Sequence, residues 1–432
     1  MTHAAADTIY ALSSGSPPAA IAVVRISGPS AREALRQVSG RVPAPRRATL
    51  GALRDPRSNE VLDWGLILWF PGPGSATGED LAELHLHGGR SVVTGILDAL
   101  AQVPGLRPAE AGEFTRRAFE NGRIDLAEAE GLADLLTAET ASQRRSALAL
   151  AGGALSKMVG GWQRRLLAIA AQVEALLDFS DEEDVNEHAS GTWAPEAQAL
   201  AAEIQNVLRR PPAERLKEGI HTVIAGPPNA GKSSLLNALT GRDAAITSAV
   251  AGTTRDLIEA PTSIDGTPFL LVDTAGLRES SDEIEAIGVG RAVTSLATAD
   301  IILWLGAPEE CPHRSKSIIV HPKADLLAPT NQQDIDVAVS TSTGAGLDRL
   351  VALLGARSRG LLPVEGEVSV NARHREALQS VLGNLNAAAD QRDLVIASEE
   401  LRQARVHLDR VTGRAGVEDM LDVLFGAFCI GK

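Results

Sequence analysis

Gly226-Pro227-Pro228-Asn229-Ala230-Gly231-Lys232-Ser233-Ser234 joins the apolar run His221-Thr222-Val223-Ile224-Ala225 to the helix-like Leu235-Leu236-Asn237-Ala238-Leu239. Strand, glycine loop and helix in this order predict a phosphate cradle. Gly226 and Gly231 permit the tight backbone that aims successive N–H groups at phosphate oxygens, Lys232 supplies a point charge, and the Ser233 hydroxyl is suited to ligate Mg²⁺. The bland reading, a structural turn, leaves the flanking strand and helix unexplained. A nucleoside triphosphate is the expected ligand, held by Asn229, Ala230, Gly231, Lys232, Ser233 and Ser234.

Working outward, Asp273-Thr274-Ala275-Gly276 ends the strand-like Phe269-Leu270-Leu271-Val272. An Asp there holds a Mg²⁺ water, while the Gly276 N–H contacts a γ-phosphate and loses it after hydrolysis, so the following loop reads as a switch. Between the two loops, the segment Ser248, Ala249, Val250, Ala251, Gly252, Thr253 and Thr254 borders the nucleotide, and Thr254 offers a hydroxyl to Mg²⁺. Asp265-Gly266 lies between the runs Leu257 to Ile264 and Pro268 to Val272 and predicts an antiparallel hairpin. The order fits a small GTPase-like sheet. Guanine is selected by a carboxylate that accepts its N1–H and exocyclic amine; Lys323-Ala324-Asp325, behind the strand Ile318-Ile319-Val320, supplies one. Ser340 and Thr341, in Val339-Ser340-Thr341-Ser342-Thr343-Gly344, are read as packing over the base from the far side.

Length and composition set wider bounds. The 432 residues suggest about three domains, and a hydrophobic share of 44% is ample for buried cores. Only two cysteines, no bilayer-length apolar stretch and no signal peptide at the N-terminus lead to an expected cytoplasmic, reducing location without a disulfide. A net charge of −14 argues against nonspecific coating of nucleic acid, so an RNA role needs local basic patches. Arg36, Arg41, Arg46 and Arg47 are one candidate, with a solvated face as the alternative. Residues up to about Phe119 alternate short β-rich runs (Val61 to Phe70, Leu81 to His87) with helices (Ser30 to Gln37, Arg90 to Ala101). Long helices follow from Ile124 to Phe179, with Leu132, Leu135, Leu136, Leu166, Leu167, Ile169, Val173 and Leu176 as expected core. A further helix, Ala197 to Leu208, precedes the Pro211-Pro212 break, and the helical pattern resumes from Gly360 through Leu424.

Further segments carry a family resemblance: Asp7-Thr8-Ile9-Tyr10-Ala11-Leu12 and Ala22-Val23-Val24-Arg25-Ile26-Ser27-Gly28; Gly112-Glu113-Phe114-Thr115-Arg116-Arg117-Ala118-Phe119 followed by Asn121-Gly122-Arg123-Ile124-Asp125-Leu126-Ala127-Glu128-Ala129-Glu130; and the terminal Cys429-Ile430-Gly431-Lys432. With the nucleotide loops, they resemble the tRNA uridine modification GTPases of the MnmE (TrmE) family, within the TrmE-Era-EngA superfamily. The implied fold is multi-domain α/β and α: an N-terminal α+β dimerisation and tetrahydrofolate-binding domain (1–119), a helical domain in two parts (120–213 and 360–432), and an inserted Ras-like P-loop G domain (214–359).

The resemblance implies roles residue by residue. Leu277 stands where Ras-like GTPases carry a water-orienting glutamine, and the family's water-positioning glutamate matches Glu285; the bland alternative has Asp282, Glu283 and Glu285 capping a helix from about Ile284 to Ala297. Asn229 matches a K⁺ ligand, with further oxygens from Ser248, Val250 and Thr253, giving hydrolysis that depends on two G domains meeting; loop stabilisation is the alternative for Asn229. Arg25, Glu83, Arg123 and Lys432 match positions that bind a 5-formyl- or methylene-tetrahydrofolate, surface ion pairs being the alternative. Cys429 belongs to a mobile, reactive or positioning tail, or to an unstructured end. His85 and His87 share a strand face but lack a third metal ligand at sensible spacing.

Two departures stand out. Pro322-Lys323-Ala324-Asp325 replaces the usual Asn-Lys-x-Asp, a loss of about 0.5–1.5 kcal/mol of base affinity. Asp300 to Val320 has no helix after the strand Ile301 to Leu305, which puts the edge of the G-domain sheet in question. The implied activity is K⁺-stimulated GTP hydrolysis by a homodimer, joined through its N-terminal domain. In a heterotetramer with an FAD-bearing MnmG (GidA)-like flavoprotein, it modifies C5 of the wobble uridine of certain tRNAs. Alternatives are a GTP-dependent ribosome-assembly or signalling switch without modification chemistry, and a folate-binding scaffold whose G domain has decayed.

Overall fold

The computed structural model describes residues 7–178, 193–241, 258–273, 294–326, 334–364, 366–414, 418–426 and 428–431. They fall into two compact units, Met1–Ala133 with Asp409–Lys432, and Asp134–Leu408.

The first unit is built on β1 (Thr8–Leu12), β2 (Ile21–Ser27), β3 (Thr49–Arg54), β4 (Val61–Phe70), β5 (Leu81–His87) and β6 (Leu106–Pro108), in the order β3-β4-β5-β2-β1-β6. Strand β1 is buried on both faces. Tyr10 joins the main core with residues of helices α1 (Ala31–Ser39) and α2 (Arg90–Ala101), whereas Ile9 and Ala11 pack with Ala109 and Phe114 on the other side. Period-two alternation thus serves two cores at once, each large side chain contributing about 1.5–3 kcal/mol. The sheet is less well covered at β3 and β4. Leu50 and Leu66 are paired across these strands and, with Trp64, face solvent at 61%, 41% and 59% exposure.

The Gly112–Phe119 motif starts helix α3 (Glu113–Glu120). Gly112 is left-handed (φ +69°), and a Cβ there would lie 2.2 Å from the Phe425 carbonyl oxygen, so only glycine fits. Glu113 accepts hydrogen bonds from the Glu110 N–H (2.9 Å), Arg107 (2.6 Å) and Arg117 (3.0 Å). Arg117, 8% exposed, also donates to Asp7 and Glu79. Burial pushes the Glu113 carboxyl up, but Arg107, the Glu110 N–H and Arg117 together more than reverse that and hold it below the usual range. A depressed folded-state pKa stabilises above the ordinary Glu pKa of about 4.3 and is lost as pH falls through the lowered value. Glu113→Gln is therefore expected to cost about 2–3 kcal/mol near neutrality and less in acid; urea melts that give a pH-independent difference contradict this.

Helix α4 (Leu126–Thr137) contributes Leu126 and Ala129 to a cluster with Leu421 and Phe425 of the helix Glu418–Gly426 and with Phe428 just beyond it. In the second unit, α5 (Ala141–Ala151) opens with a Thr140–Gln143 capping box. In α6 (Ala154–Asp178), Leu155, Val159, Trp162, Leu166, Ile169, Val173 and Leu176 form one buried stripe. Helix α7 (Trp193–Leu208) and the later helices Ala372–Asp390 and Leu394–Thr412 complete the helical part. The expectation that all the named leucines are core fails at Leu136 and Leu167, which are 44% and 56% exposed. Each sits beside another leucine in sequence, and successive residues of a helix do not share a face.

The remaining sheet comprises β7 (Ile220–Ala225), β8 (Ile258–Ile264), β9 (Thr267–Asp273), β10 (Ile301–Trp304), β11 (Ser317–His321) and β12 (Val337–Ala338), in the order β12-β11-β10-β7-β9-β8. All pairings are parallel except β8 with β9. That hairpin turns at Asp265 (φ 50°) and Gly266 (φ 73°), the double positive φ of a type I′ turn. The sheet edge, questioned from the sequence, is complete. Two short 3₁₀ turns, Pro308–Glu310 and Arg314–Lys316, take the place of the missing helix and deliver the chain into β11. Asp336 then accepts the Ile319 N–H (2.7 Å), beside the short β11–β12 pairing. No helix of the described residues is long and apolar enough to cross a membrane.

Candidate functional site

The phosphate loop follows β7 and ends on helix α9 (Lys232–Thr240), the short α8 (Glu214–Lys217) having led into β7. Gly226 has φ +150°, and a Cβ there would press to 3.0 Å on the Leu305 backbone. Asn229 (φ 58°) and Gly231 (φ 96°) turn the chain again, leaving the first N–H groups of α9 without partners in their own helix. Lys232 is 8% exposed and curls back over the loop, donating to the carbonyls of Gly226 (3.1 Å) and Pro227 (2.9 Å). Beside it, the Ser233 hydroxyl donates to the Asp273 carboxylate at 2.5 Å. Asp273 is fully buried at the end of β9. A hydroxyl and a carboxylate meeting at the foot of a phosphate loop are the hard oxygen donors that Mg²⁺ prefers. Ala230 and Ser234 sit in the loop and the first turn of α9 as expected.

The base side forms at the ends of β11 and β12. Lys323 (φ 55°) stretches back to the phosphate loop, its Nζ donating to the Asn229 carbonyl at 2.8 Å. This tie joins the base loop to the phosphate loop although Pro322 has no side-chain amide to do so. Asp325 is exposed, ready for a ligand, and held by hydroxyls: Ser342 donates to it at 3.0 Å, and Ser342 is in turn 2.9 Å from the buried Ser340. The Ser340 hydroxyl, the aspartate's own N–H and Ser342 hold the carboxyl below its usual range. It stays ionised at neutral pH as a double acceptor. Ser342 was not singled out from sequence; its i+2 spacing from Ser340 was the available signal. Thr341 is exposed on the same turn. Gly346 closes it, since a Cβ there would lie 1.9 Å from the Ala338 carbonyl oxygen. All these loops follow the carboxyl ends of parallel strands, where ligands of open α/β sheets bind. Ser248, Ala249, Val250, Ala251, Gly252, Thr253, Thr254, Thr274, Ala275, Gly276, Glu285 and Lys432 lie outside the described residues.

A second cluster lies in the first unit. Arg25 and Glu83 are register partners on β2 and β5 and form a half-buried ion pair at 3.0 Å, with the Arg25 guanidinium 5.7 Å from the centre of the Phe114 ring. His85 is 3.3 Å from Glu83, and His87 pairs with Asp63 at 2.8 Å. Among the described residues no group of three or more His, Cys, Asp or Glu is arranged to hold a metal. Arg123 is exposed and its stem runs along Gly78. The C-terminal tail is pinned: Ile430 bridges to Ala111, the Ser13 hydroxyl donates to the Gly431 carbonyl at 2.7 Å, and Phe428 is buried. A Cβ on Gly431 would lie 2.1 Å from the Leu12 carbonyl oxygen. The expectation of a mobile or unstructured end is thus corrected for residues 428–431, and between its pinned neighbours Cys429 is exposed. Three of the four candidate RNA arginines are engaged locally, Arg36 with Glu33, Arg41 with the Leu50 carbonyl, and Arg46 with the Gly74 carbonyl and the Phe70 ring, while Arg47 is exposed.

Residues 8–123 match the family model described as GTP-binding protein TrmE N-terminus, and residues 126–429 the MnmE helical domain model. Among curated proteins, the chain is 57% identical over 431 residues to a tRNA modification GTPase MnmE of Rhizorhabdus wittichii, covering 99% of this chain and 97% of that protein. Proteins of the same description from Erythrobacter litoralis and Sphingopyxis alaskensis are each 54% identical, covering 99% and 95% of this chain and 100% of each relative. With a phosphate loop and the Asp325 loop on one sheet, and with relatives of this identity along nearly its whole length, the chain belongs to the MnmE family of tRNA modification GTPases.

Proposed function

We propose that GTP cleavage by this chain drives the modification of C5 of the wobble uridine of certain tRNAs, with a flavin-dependent MnmG (GidA)-like protein as partner and a tetrahydrofolate as one-carbon donor. The observation that carries this reading is the pinned tail. It fastens Gly431 to Ser13, just past the end of β1, with the exposed Cys429 two residues earlier, and Ala11 of that strand is in register with Arg25, the partner of Glu83. Arg25, Glu83 and the Phe114 ring offer a cation, an acceptor and an apolar face, which suit the carboxylate tail and the pterin of a folate; Arg123 and Lys432 are assigned to the same ligand. When bound, the folate supplies the one-carbon unit and the partner's FAD the redox chemistry.

In the G domain, Lys232 and the N–H groups of Asn229 to Ser234 bind and neutralise the phosphates. Ser233 and Thr254 hold Mg²⁺, with Asp273 fixing the Ser233 hydroxyl; Asn229, Ser248, Val250 and Thr253 hold K⁺, and Glu285 positions the attacking water. Lys323 keeps the base loop in register and Asp325 reads guanine, with Ser340 and Thr341 beside the base. The domain organisation that accompanies this reading is 1–119, 120–213 with 360–432, and 214–359. Homodimerisation through the N-terminal domain is supported by the solvent-facing Leu50, Trp64 and Leu66, which a second copy would cover. The compartment is the cytoplasm, where tRNA is found.

Reconstitution tests the reading. The chain, the flavoprotein, an unmodified tRNA transcript, GTP, Mg²⁺, K⁺, a one-carbon tetrahydrofolate and an amine donor, ammonium or glycine, are expected to give a mass increment on the wobble uridine. None should form without GTP, and hydrolysis should be slower when Na⁺ replaces K⁺. Brisk hydrolysis with an unaltered nucleoside overturns the modification role and leaves a GTP-dependent assembly switch.

A further inference from the structure

We propose that the cationic groove along α6 is where the chain docks the phosphodiester backbone of tRNA; this rests on the reading of the chain as acting on tRNA. From Thr140 to Val173 the sequence carries Arg144, Arg145, Lys157, Arg164 and Arg165 and not one Asp or Glu, in a chain whose 55 acidic residues outnumber its 41 basic ones. On α6 this asymmetry becomes geometry. Lys157, Gly161, Arg164, Arg165 and Ala168 line one open groove of about 550 Å³, the i, i+4, i+7, i+8, i+11 positions of a single helix face.

The groove's charge is largely uncommitted. Among the described residues, Arg165 pairs with Glu203 of α7, the one carboxylate lining the groove, and Lys157 donates only to the Gly152 carbonyl. Arg164 is exposed and makes no ion pair among the described residues. Gly160 and Gly161 are consecutive in mid-helix, where glycine is less favourable than alanine. A Cβ on Gly161 would meet nothing within 4 Å, so packing inside the protein does not account for the glycine. A bare helix surface between cations is what close approach by a sugar–phosphate backbone requires. Below it, the indole N–H of Trp162, 2% exposed, has no acceptor among the described residues. RNA is favoured over an acidic protein because phosphates recur along its backbone at a spacing that a row of cations can follow, and these contacts do not depend on sequence.

The test measures binding of an unmodified tRNA transcript to the full-length chain by fluorescence anisotropy across a KCl series. Lys157→Ala with Arg164→Ala is expected to weaken binding roughly tenfold or more and to lower the slope of log K against log[salt] by about 1.5–2, while GTP hydrolysis is unchanged. Glu203→Gln, which unmasks Arg165, is expected to tighten binding and steepen the slope, a gain that loss of structure cannot imitate. Equal affinity and slope in the wild type and the double variant, or no binding by the wild type at about 50 mM salt, overturns the proposal. So does a double variant that keeps tRNA but loses the flavoprotein, which makes the groove a protein interface. In each case a wild-type chain that still modifies the wobble uridine leaves the functional reading standing; that reading fails separately, if no modification occurs.

Discussion

Asp325→Asn is expected to lower GTP affinity by about 10²–10⁴-fold and to confer binding of xanthosine triphosphate. Guanine presents two donors, N1–H and the exocyclic amine, to one carboxylate. Asp325 is exposed at the end of its loop with the Ser340 and Ser342 hydroxyls turned toward it, so it is ionised and oriented before a base arrives. Asparagine keeps the shape but replaces one acceptor with an NH₂ donor, which opposes the guanine amine at the position where an acceptor was needed. Xanthine carries a carbonyl there and fits the amide. Because Asp325 touches nothing in the core, the variant should fold and melt like the wild type. Calorimetry with both nucleotides checks this; unchanged GTP affinity places base recognition elsewhere.

Lys232→Ala is expected to have the other large effect, a fall in kcat/KM for GTP of about 10³-fold or more. The buried ammonium spans the loop through the Gly226 and Pro227 carbonyls, and no other lysine or arginine lies in the run 226–234. On the proposed reading, its removal takes away both the charge assigned to the β- and γ-phosphates and the brace that shapes the loop. Lys232→Arg should not rescue, because a planar fork cannot donate to the same pair of carbonyls from the same place. Stopped-flow binding of a fluorescent GTP analogue separates the losses in binding and turnover; a variant with wild-type kcat/KM shows that the charge acts from another residue.

How much of this was legible in the sequence depends on the range over which each feature is encoded. The phosphate loop and the Asp265-Gly266 hairpin are local: a few residues of fixed backbone demand, flanked by the right apolar runs, state their own geometry. Arg25 and Glu83 were named together only through family resemblance, and that they pair with each other is decided by sheet register. The Lys323 tie to Asn229 spans 94 residues and replaces an interaction whose loss, at Pro322, was all the sequence displayed. The pinned tail joins Ser13 to Gly431 across 418 residues, and nothing in four terminal residues announces a partner at the other end of the chain. The edge of the G-domain sheet looked doubtful because a helix was missing, yet Asp336 and two short turns set β11 in place without one. Leu136 and Leu167 were misjudged because composition, without rotation about the helix, does not distinguish adjacent leucines.

The central claim is that GTP cleavage on this sheet powers chemistry on the wobble uridine. Nucleoside mass spectrometry of tRNA from cells lacking the chain, complemented with the wild type or with Lys232→Ala, tests it most directly. The wild type is expected to restore the C5-modified wobble uridine and Lys232→Ala to leave the unmodified nucleoside; full modification in the deletion strain, or equal restoration by Lys232→Ala, contradicts the account.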